Sequence, residues 1–430
     1  MSPVSALPAI AVLALALLIA HLYGTWVHNS LAPIQEATHT EPASRLSPHM
    51  RNASIDGLRG FLAFFVFLHH ASIWYFDLRT GVWQVPPSHF YTHLGQSSVA
   101  LFFMITAFLF STKLLDARGK TLASGQPVLQ SPVFWQRLYV SRLLRLTPLY
   151  FFMLVMVVLV TAIVSDFQLR EPLHVLLKNI GAWASFIILG RPDLNGVVTT
   201  SRMIAGVNWT LPYEWFFYFS LPMLALFLKV LPSWPYVLIS AAAMAGLWLK
   251  VFPWQPNPIY SYAFLGGAAA AVIVRWPRLQ QLLNSPWGSR LGGVAAVLCM
   301  AYVFQHFSTA NSVPALAWLT VAFTLLASGN SLFGLLHSRA AQTLGDASYS
   351  IYLLHGLVMY ITFKLILGVD AAAQLSVFGH WGVILMCTAV LLPLSFATFR
   401  RIEAPAIRSA PRISRWLEAR SLWFQPTQVS

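Results

Sequence analysis

The chain has 430 residues, of which 57% are hydrophobic and only 9% charged, with a formal net charge of +14. Soluble domains carry about 25% charged residues, so this composition excludes an ordinary water-soluble enzyme. The positive balance would suggest nucleic acid in a soluble chain. In a membrane protein it reflects Lys and Arg gathered in cytoplasmic loops, so no nucleic-acid partner is expected.

Eleven apolar segments follow in order, at about 7–28, 57–77, 95–115, 147–165, 208–229, 236–252, 259–274, 291–307, 314–328, 348–367 and 380–399. Runs of this length and apolarity read as bilayer-crossing helices. The expected fold is therefore all-α, a polytopic transmembrane bundle of about eleven spans. The apolar stretch 173–189 contains His174 and Lys178 and follows Pro172, which places it at the interface or as a re-entrant piece. With the N-terminus outside, about three-quarters of the 27 basic residues fall in the inner loops. The first segment has no basic residue before it, which favours an outside-in anchor over a cleaved signal peptide. The organisation predicted is an extra N-terminal transmembrane helix (1–30), a polar linker (31–54), a membrane domain (55–408) and a basic cytoplasmic tail on anionic headgroups (409–430). Cys299 and Cys387 lie within apolar runs and read as core residues. No zinc motif, phosphate-binding loop or strand–GxGxxG–helix unit occurs, so no metal is expected.

The second segment opens with Asp56-Gly57-Leu58-Arg59-Gly60 and carries His69 and His70. Arg59 and His70 are eleven residues apart, about three turns, so they share a face about 16 Å apart in depth. That puts Arg59 at the cytoplasmic mouth and His70 past the midplane. An ionisable group so deep is a functional candidate, against the plainer reading of an interhelical hydrogen bond. The region between the third and fourth segments is read as a basic loop with Lys113, Arg118, Lys120, Arg137, Arg142 and Arg145. Arg142 and Arg145, three apart, would project together and suit phosphate oxygens, against the plain reading of topology charge. Glu214 stands near the outer end of an aromatic span beginning Asn208-Trp209-Thr210, and a buried carboxylate there needs a partner. The Asn-x-Thr sequon at Asn208 abuts the span and reads as chance. Ser348, Tyr352 and His355 give the tenth helix a polar face, with His355 about two turns from the cytoplasmic side. By that count His70 and His355 lie at different heights, which argues against a haem held between histidines.

Together these motifs resemble the acyltransferase family 3 proteins over about residues 52–408. The family's Asp-x-Leu-Arg-Gly followed by a histidine matches Asp56, Leu58, Arg59, Gly60 and His70. Its Arg-x-x-Arg before Pro-x-Tyr matches Arg142, Arg145, Pro148 and Tyr150. Its Trp-Ser-Leu-x-x-Glu is similar to Trp209, Thr210, Leu211 and Glu214. Its Gly-x-x-Ser-Tyr-x-x-Tyr-Leu-x-His is similar to Gly345, Ser348, Tyr349, Tyr352, Leu353 and His355, and Glu403 and Pro405 match the closing Glu-x-Pro. One departure is Thr106-Ala107 where the family has Ser-Gly, which adds a methyl at a point of close helix contact.

The resemblance implies a bacterial inner-membrane O-acyltransferase with its C-terminus in the cytoplasm. It would move an acyl group, commonly acetyl from acetyl-CoA, onto a hydroxyl of a surface glycan such as O-antigen or exopolysaccharide. The roles implied are His70, Glu214 and Arg59 catalytic; Arg142, Arg145, Tyr349 and His355 on the acyl-CoA; Trp209 and Asp56 on the acceptor. Membrane lipids and a biosynthetic partner complete the expected environment. The rival reading is a transporter or flippase of glycan or lipid-linked intermediates, which would call for broken helices in matching halves; no internal symmetry is visible.

Overall fold

The computed structural model describes residues 2–37, 53–227 and 231–420. In chain order the helices are α1 (Leu7–Ala37), α2 (Ala53–Thr80), α3 (His89–Ala117), α4 (Pro132–Val164), α5 (Leu173–Ala184), α6 (Leu211–Phe227), α7 (Trp234–Trp248), α8 (Ile259–Ile273), α9 (Pro277–Asn284), α10 (Pro286–His306), α11 (Val313–Ala327), α12 (Arg339–Asp346), α13 (Ser348–Tyr360), α14 (Val369–Gln374), α15 (Val377–Thr398) and α16 (Ala404–Arg420). Among the described residues there is no strand, only two isolated bridges. The protein is an all-α, multi-pass membrane bundle.

Each of the eleven apolar segments lies on one of these helices. Seven are long and apolar enough to cross a bilayer, and α8 with α9, bent by 91°, would make eight. The α6, α7 and α11 helices are shorter, at 17, 15 and 15 residues. The stretch read as interfacial or re-entrant contains the 12-residue α5. The fourth span begins fifteen residues earlier than predicted, at Pro132, so Arg137, Arg142 and Arg145 are helical rather than in a loop. Charge beside an apolar run resembles a loop in sequence, which is why the apolar window begins only after the arginines. Proline at the first turn, where its missing N–H costs nothing, starts α4, α9 and α10.

The chain divides into two compact units: Met1–Phe108 with Pro258–Phe396, and Leu109–Asn257 with Ala397–Ser430. Each unit is drawn from separate parts of the chain.

In the first unit α2 is the central helix, with 83% of its apolar window buried against 22% for α1. A helix apolar all round belongs inside a bundle. Glycine lets it approach its neighbours closely. A β-carbon on Gly57 would overlap the Leu336 carbonyl, and one on Gly60 would meet the Gly345 nitrogen at 2.6 Å. One on Gly345 would overlap the Asp56 carbonyl in return. These three motif glycines are therefore packing residues, each facing backbone that cannot swing aside. A similar close approach occurs at Gly267, which faces the Met104 carbonyl. That supplies the tight contact to α3 one turn before Ala107, which is itself fully buried.

The α1 helix lies against α12 with a face of Ala9, Val12, Ala16 and Ala20 buried. Tyr23 stacks on Phe396 at 4.4 Å, and the Tyr91 hydroxyl donates to the Ser5 carbonyl at 2.7 Å. It extends to Ala37 and α2 starts at Ala53, so most of the predicted linker lies outside the described residues.

In the second unit α16 packs along α4. Arg137 makes a bidentate pair with Glu418 at 2.7 and 2.9 Å, and Gln136 donates to the Ser414 carbonyl. Residues 409–420 of the predicted tail are thus a docked helix; the rest lie outside the described residues. Asn208 of the sequon is fully buried, where no glycosylation machinery could reach it. Both cysteines are free and buried.

Candidate active site

The site residues predicted from sequence fall into two groups, one in each unit. Asp56, Arg59, His70, Tyr349 and His355 belong to the first; Arg142, Arg145, Trp209 and Glu214 belong to the second.

In the first unit two sequence motifs run side by side. Gly60 meets Gly345, Arg59 donates to the Ser348 hydroxyl at 3.4 Å, and His70 bonds His355 at 3.1 Å. Residue numbers rise together along both seams, so α2 is parallel to the α12–α13 pair with an offset near 285. The predicted difference in height between His70 and His355 is therefore wrong. The physical reason is the helix α12, which precedes Ser348 and sets α13 deeper beside α2. The conclusion drawn from that height difference against a haem pair now rests on the contact itself: two ring nitrogens bonded to each other leave no metal position between them.

The partners settle the tautomers. A carbonyl only accepts, so His355 Nδ1, 3.1 Å from the Ile351 carbonyl, carries its hydrogen. Neutral His355 then presents a bare Nε2 toward His70 Nδ1. His70 Nδ1 also lies 3.0 Å from the Val66 carbonyl, and so must carry a hydrogen. By this inference His70 Nε2 holds the lone pair. His355 is fully buried, while His70 is partly exposed. His69 is a different case: its Nδ1 is fixed by the Tyr91 carbonyl at 2.7 Å, and its ring fills the space beside Gly95. Asp56 reaches Arg59 at 3.6 Å along the helix. Tyr349 is half-buried in the first turn of α13.

In the second unit the partner demanded by Glu214 is Tyr218, whose hydroxyl donates to Glu214 Oε2 at 2.7 Å. Arg142 reaches the same tyrosine and lies near Glu214, with its guanidinium 5.0 Å over the Phe110 ring. Tyr218 was not picked from the sequence, although its spacing of four from Glu214 was the available signal. The contact also places Arg142 at the level of Glu214, not at a separate cytoplasmic mouth. Arg145, one turn on, is half-buried and has no ion-pair partner among the described residues. Trp209 sits edge-on to Tyr213 at 5.7 Å.

His355 offers a sharp test of role. If it fixes the His70 tautomer, His355→Phe should lower kcat about ten- to a hundredfold and leave KM for acyl-CoA within threefold. That is milder than removing a buried carboxylate partner, because Val66 still holds Nδ1. If it instead contacts the cofactor, as the sequence suggested, KM would rise with kcat maintained.

A family model described as an acyltransferase domain matches residues 52–400. The chain is 25% identical over 397 residues to nodulation protein 10 of Rhizobium leguminosarum bv. viciae, covering 85% of this chain and 96% of that protein. No solved structure matches.

Proposed function

The chain belongs to the acyltransferase 3 family and is a multi-pass membrane acyltransferase; we propose that it moves an acetyl group from acetyl-CoA to a hydroxyl of a cell-surface glycan. The observation that supports the mechanism is the pair of contacts at His70 Nδ1, to the Val66 carbonyl and to His355 Nε2, which leave Nε2 free for an acceptor.

An alcohol is a poor nucleophile near neutral pH and needs a base within reach. His70 Nε2 takes the acceptor proton as the hydroxyl oxygen attacks the thioester carbonyl. The C–S bond breaks, and the leaving CoA thiolate takes up the proton from His70. During that interval the imidazolium is steadied by the Val66 carbonyl and by bare Nε2 of His355 at Nδ1. Arg59, fixed by Asp56 and Ser348, lies about 16 Å along α2 from His70, a distance an extended phosphopantetheine arm can bridge. Arg145 and Arg142 take CoA phosphates, which suit guanidinium forks. The depth order that gave Glu214 an acceptor-side role does not hold, so Glu214 with Tyr218 positions Arg142. Trp209 is kept for the acceptor and Tyr349 for the donor.

Tyr218→Phe should cost about 1 kcal/mol of stability, since it takes one donor from a half-buried carboxylate. It should also raise KM for acetyl-CoA through Arg142. A denaturation midpoint in detergent and donor kinetics would check both.

The bias of Lys and Arg supports an outside N-terminus and a cytoplasmic C-terminus in a bacterial inner membrane. The test is O-acetylation of surface glycan, read by NMR, in cells lacking the gene. Restoration by the wild-type chain is expected; no restoration at matched expression would remove glycan as the acceptor.

A further inference from the structure

The mechanism above uses the α2–α13 seam as far as the histidines. One turn beyond them lies an aromatic cluster that it does not use. Trp74 is four residues after His70, hence on the same face of α2, and is fully buried. Trp83 and Tyr360 meet it edge-on at 5.5 and 6.2 Å, Phe363 stacks on it at 5.6 Å, and the Lys364 ammonium lies 5.9 Å from its ring centre. Trp83 in turn stacks on His70 at 6.1 Å with the planes 20° apart.

The chain takes particular trouble to build this contact. Gly81, at φ 70°, turns the backbone at the end of α2, and the following loop returns Trp83 to a histidine thirteen residues earlier. Arg79 ties the turn by donating to the carbonyls of Tyr75 and Leu375. On the facing element, a π-helical turn at Ile361–Ile366 carries Phe363 and Lys364; such turns recur at functional sites.

Two features point to a ligand. Trp74 Nε1 is a fully buried N–H with no hydrogen-bond partner among the described residues, a costly state for an indole that usually finds one. His70, whose Nε2 carries the lone pair, is partly exposed while His355 behind it is sealed.

We infer that Trp83, Trp74 and Lys364 form an acceptor subsite that takes a pyranose ring beside His70. The apolar C–H face of the sugar lies on the Trp83 indole, the Trp74 N–H donates to a sugar oxygen, and Lys364 donates to a hydroxyl at the rim. This rests on His70 as the base, and the subsite decides which acceptor reaches it.

The test uses the full chain in lipid nanodiscs with acetyl-CoA, methyl β-D-glucopyranoside as the ring acceptor and glycerol as a ring-free one. The wild type should show a KM for the glucopyranoside at least tenfold below that for glycerol. Trp83→Ala should raise the glucopyranoside KM at least tenfold and move those of glycerol and acetyl-CoA less than threefold. Trp83→Phe, which keeps a ring, should recover most of the loss. An unchanged glucopyranoside KM in Trp83→Ala, an equal rise for both acceptors, or no preference in the wild type would each overturn the subsite. Transfer that persists in His70→Gln would instead overturn the reading beneath it, whatever Trp83 does.

Discussion

His70→Gln should lower kcat for acetyl transfer by about 10²–10⁴, the range a positioned general base contributes. Glutamine is close to histidine in size and can still donate toward the Val66 carbonyl, but it has no basic nitrogen to take the acceptor proton. The folded seam should therefore survive. Expression, detergent stability and KM for acetyl-CoA should stay near wild type, which separates a lost base from a lost fold. The wild-type rate should fall on the acid side as Nε2 becomes protonated, and the residual rate of the variant should not follow that limb. Full activity in His70→Gln at matched protein would remove the base from His70 and leave it as a packing residue.

Gly57→Ala should destabilise the protein, and Gly382→Ala should not. The same methyl is added to a helix in both cases. At Gly57 it runs into the Leu336 carbonyl; at Gly382 it meets nothing within 4 Å. In the open setting alanine is the better helix former by about 0.5–1 kcal/mol, so Gly382→Ala should raise the thermal midpoint slightly. At Gly57 the obstacle is backbone of the same unit, so α2 must shift from its neighbour, at about 1–3 kcal/mol or more. Because Arg59 and His70 ride on α2, activity should fall further than stability. Paired melting and activity curves in one detergent would show it; equal midpoints for the two variants would mean the α2 contact is looser than described.

How much of this was legible depends on what kind of signal each feature leaves. Hydropathy located every apolar helix, because a bilayer demands long runs without charge. It misplaced the start of α4 for the same reason: Arg142 was assigned to a loop, whereas Phe110 and Tyr218 give its charge a place within a helix. The motif residues were visible, but not their function in packing: Gly57, Gly60 and Gly345 matter for what faces them, and that lies about 285 residues away. The meeting of His70 with His355 was hidden by α12, a short helix too polar for a hydropathy scan to separate from a loop. Trp83 left no periodic trace, since a loop that folds back obeys no helical repeat. Tyr218 could have been found by spacing alone.

The offset between α2 and α13 also bears on how the protein is made. At about 5–20 residues per second, α13 leaves the ribosome roughly 15–60 s after α2. During that interval His70 has the Val66 carbonyl of its own helix, and His69 gains the Tyr91 carbonyl as soon as α3 follows. Arg59 has Asp56, also on its own helix. Arg59, His69 and His70 are thus each given an early, local companion that can keep the helix in the bilayer while synthesis proceeds. The catalytic pair is completed late, so a nascent chain stalled before α13 would be inserted but inert.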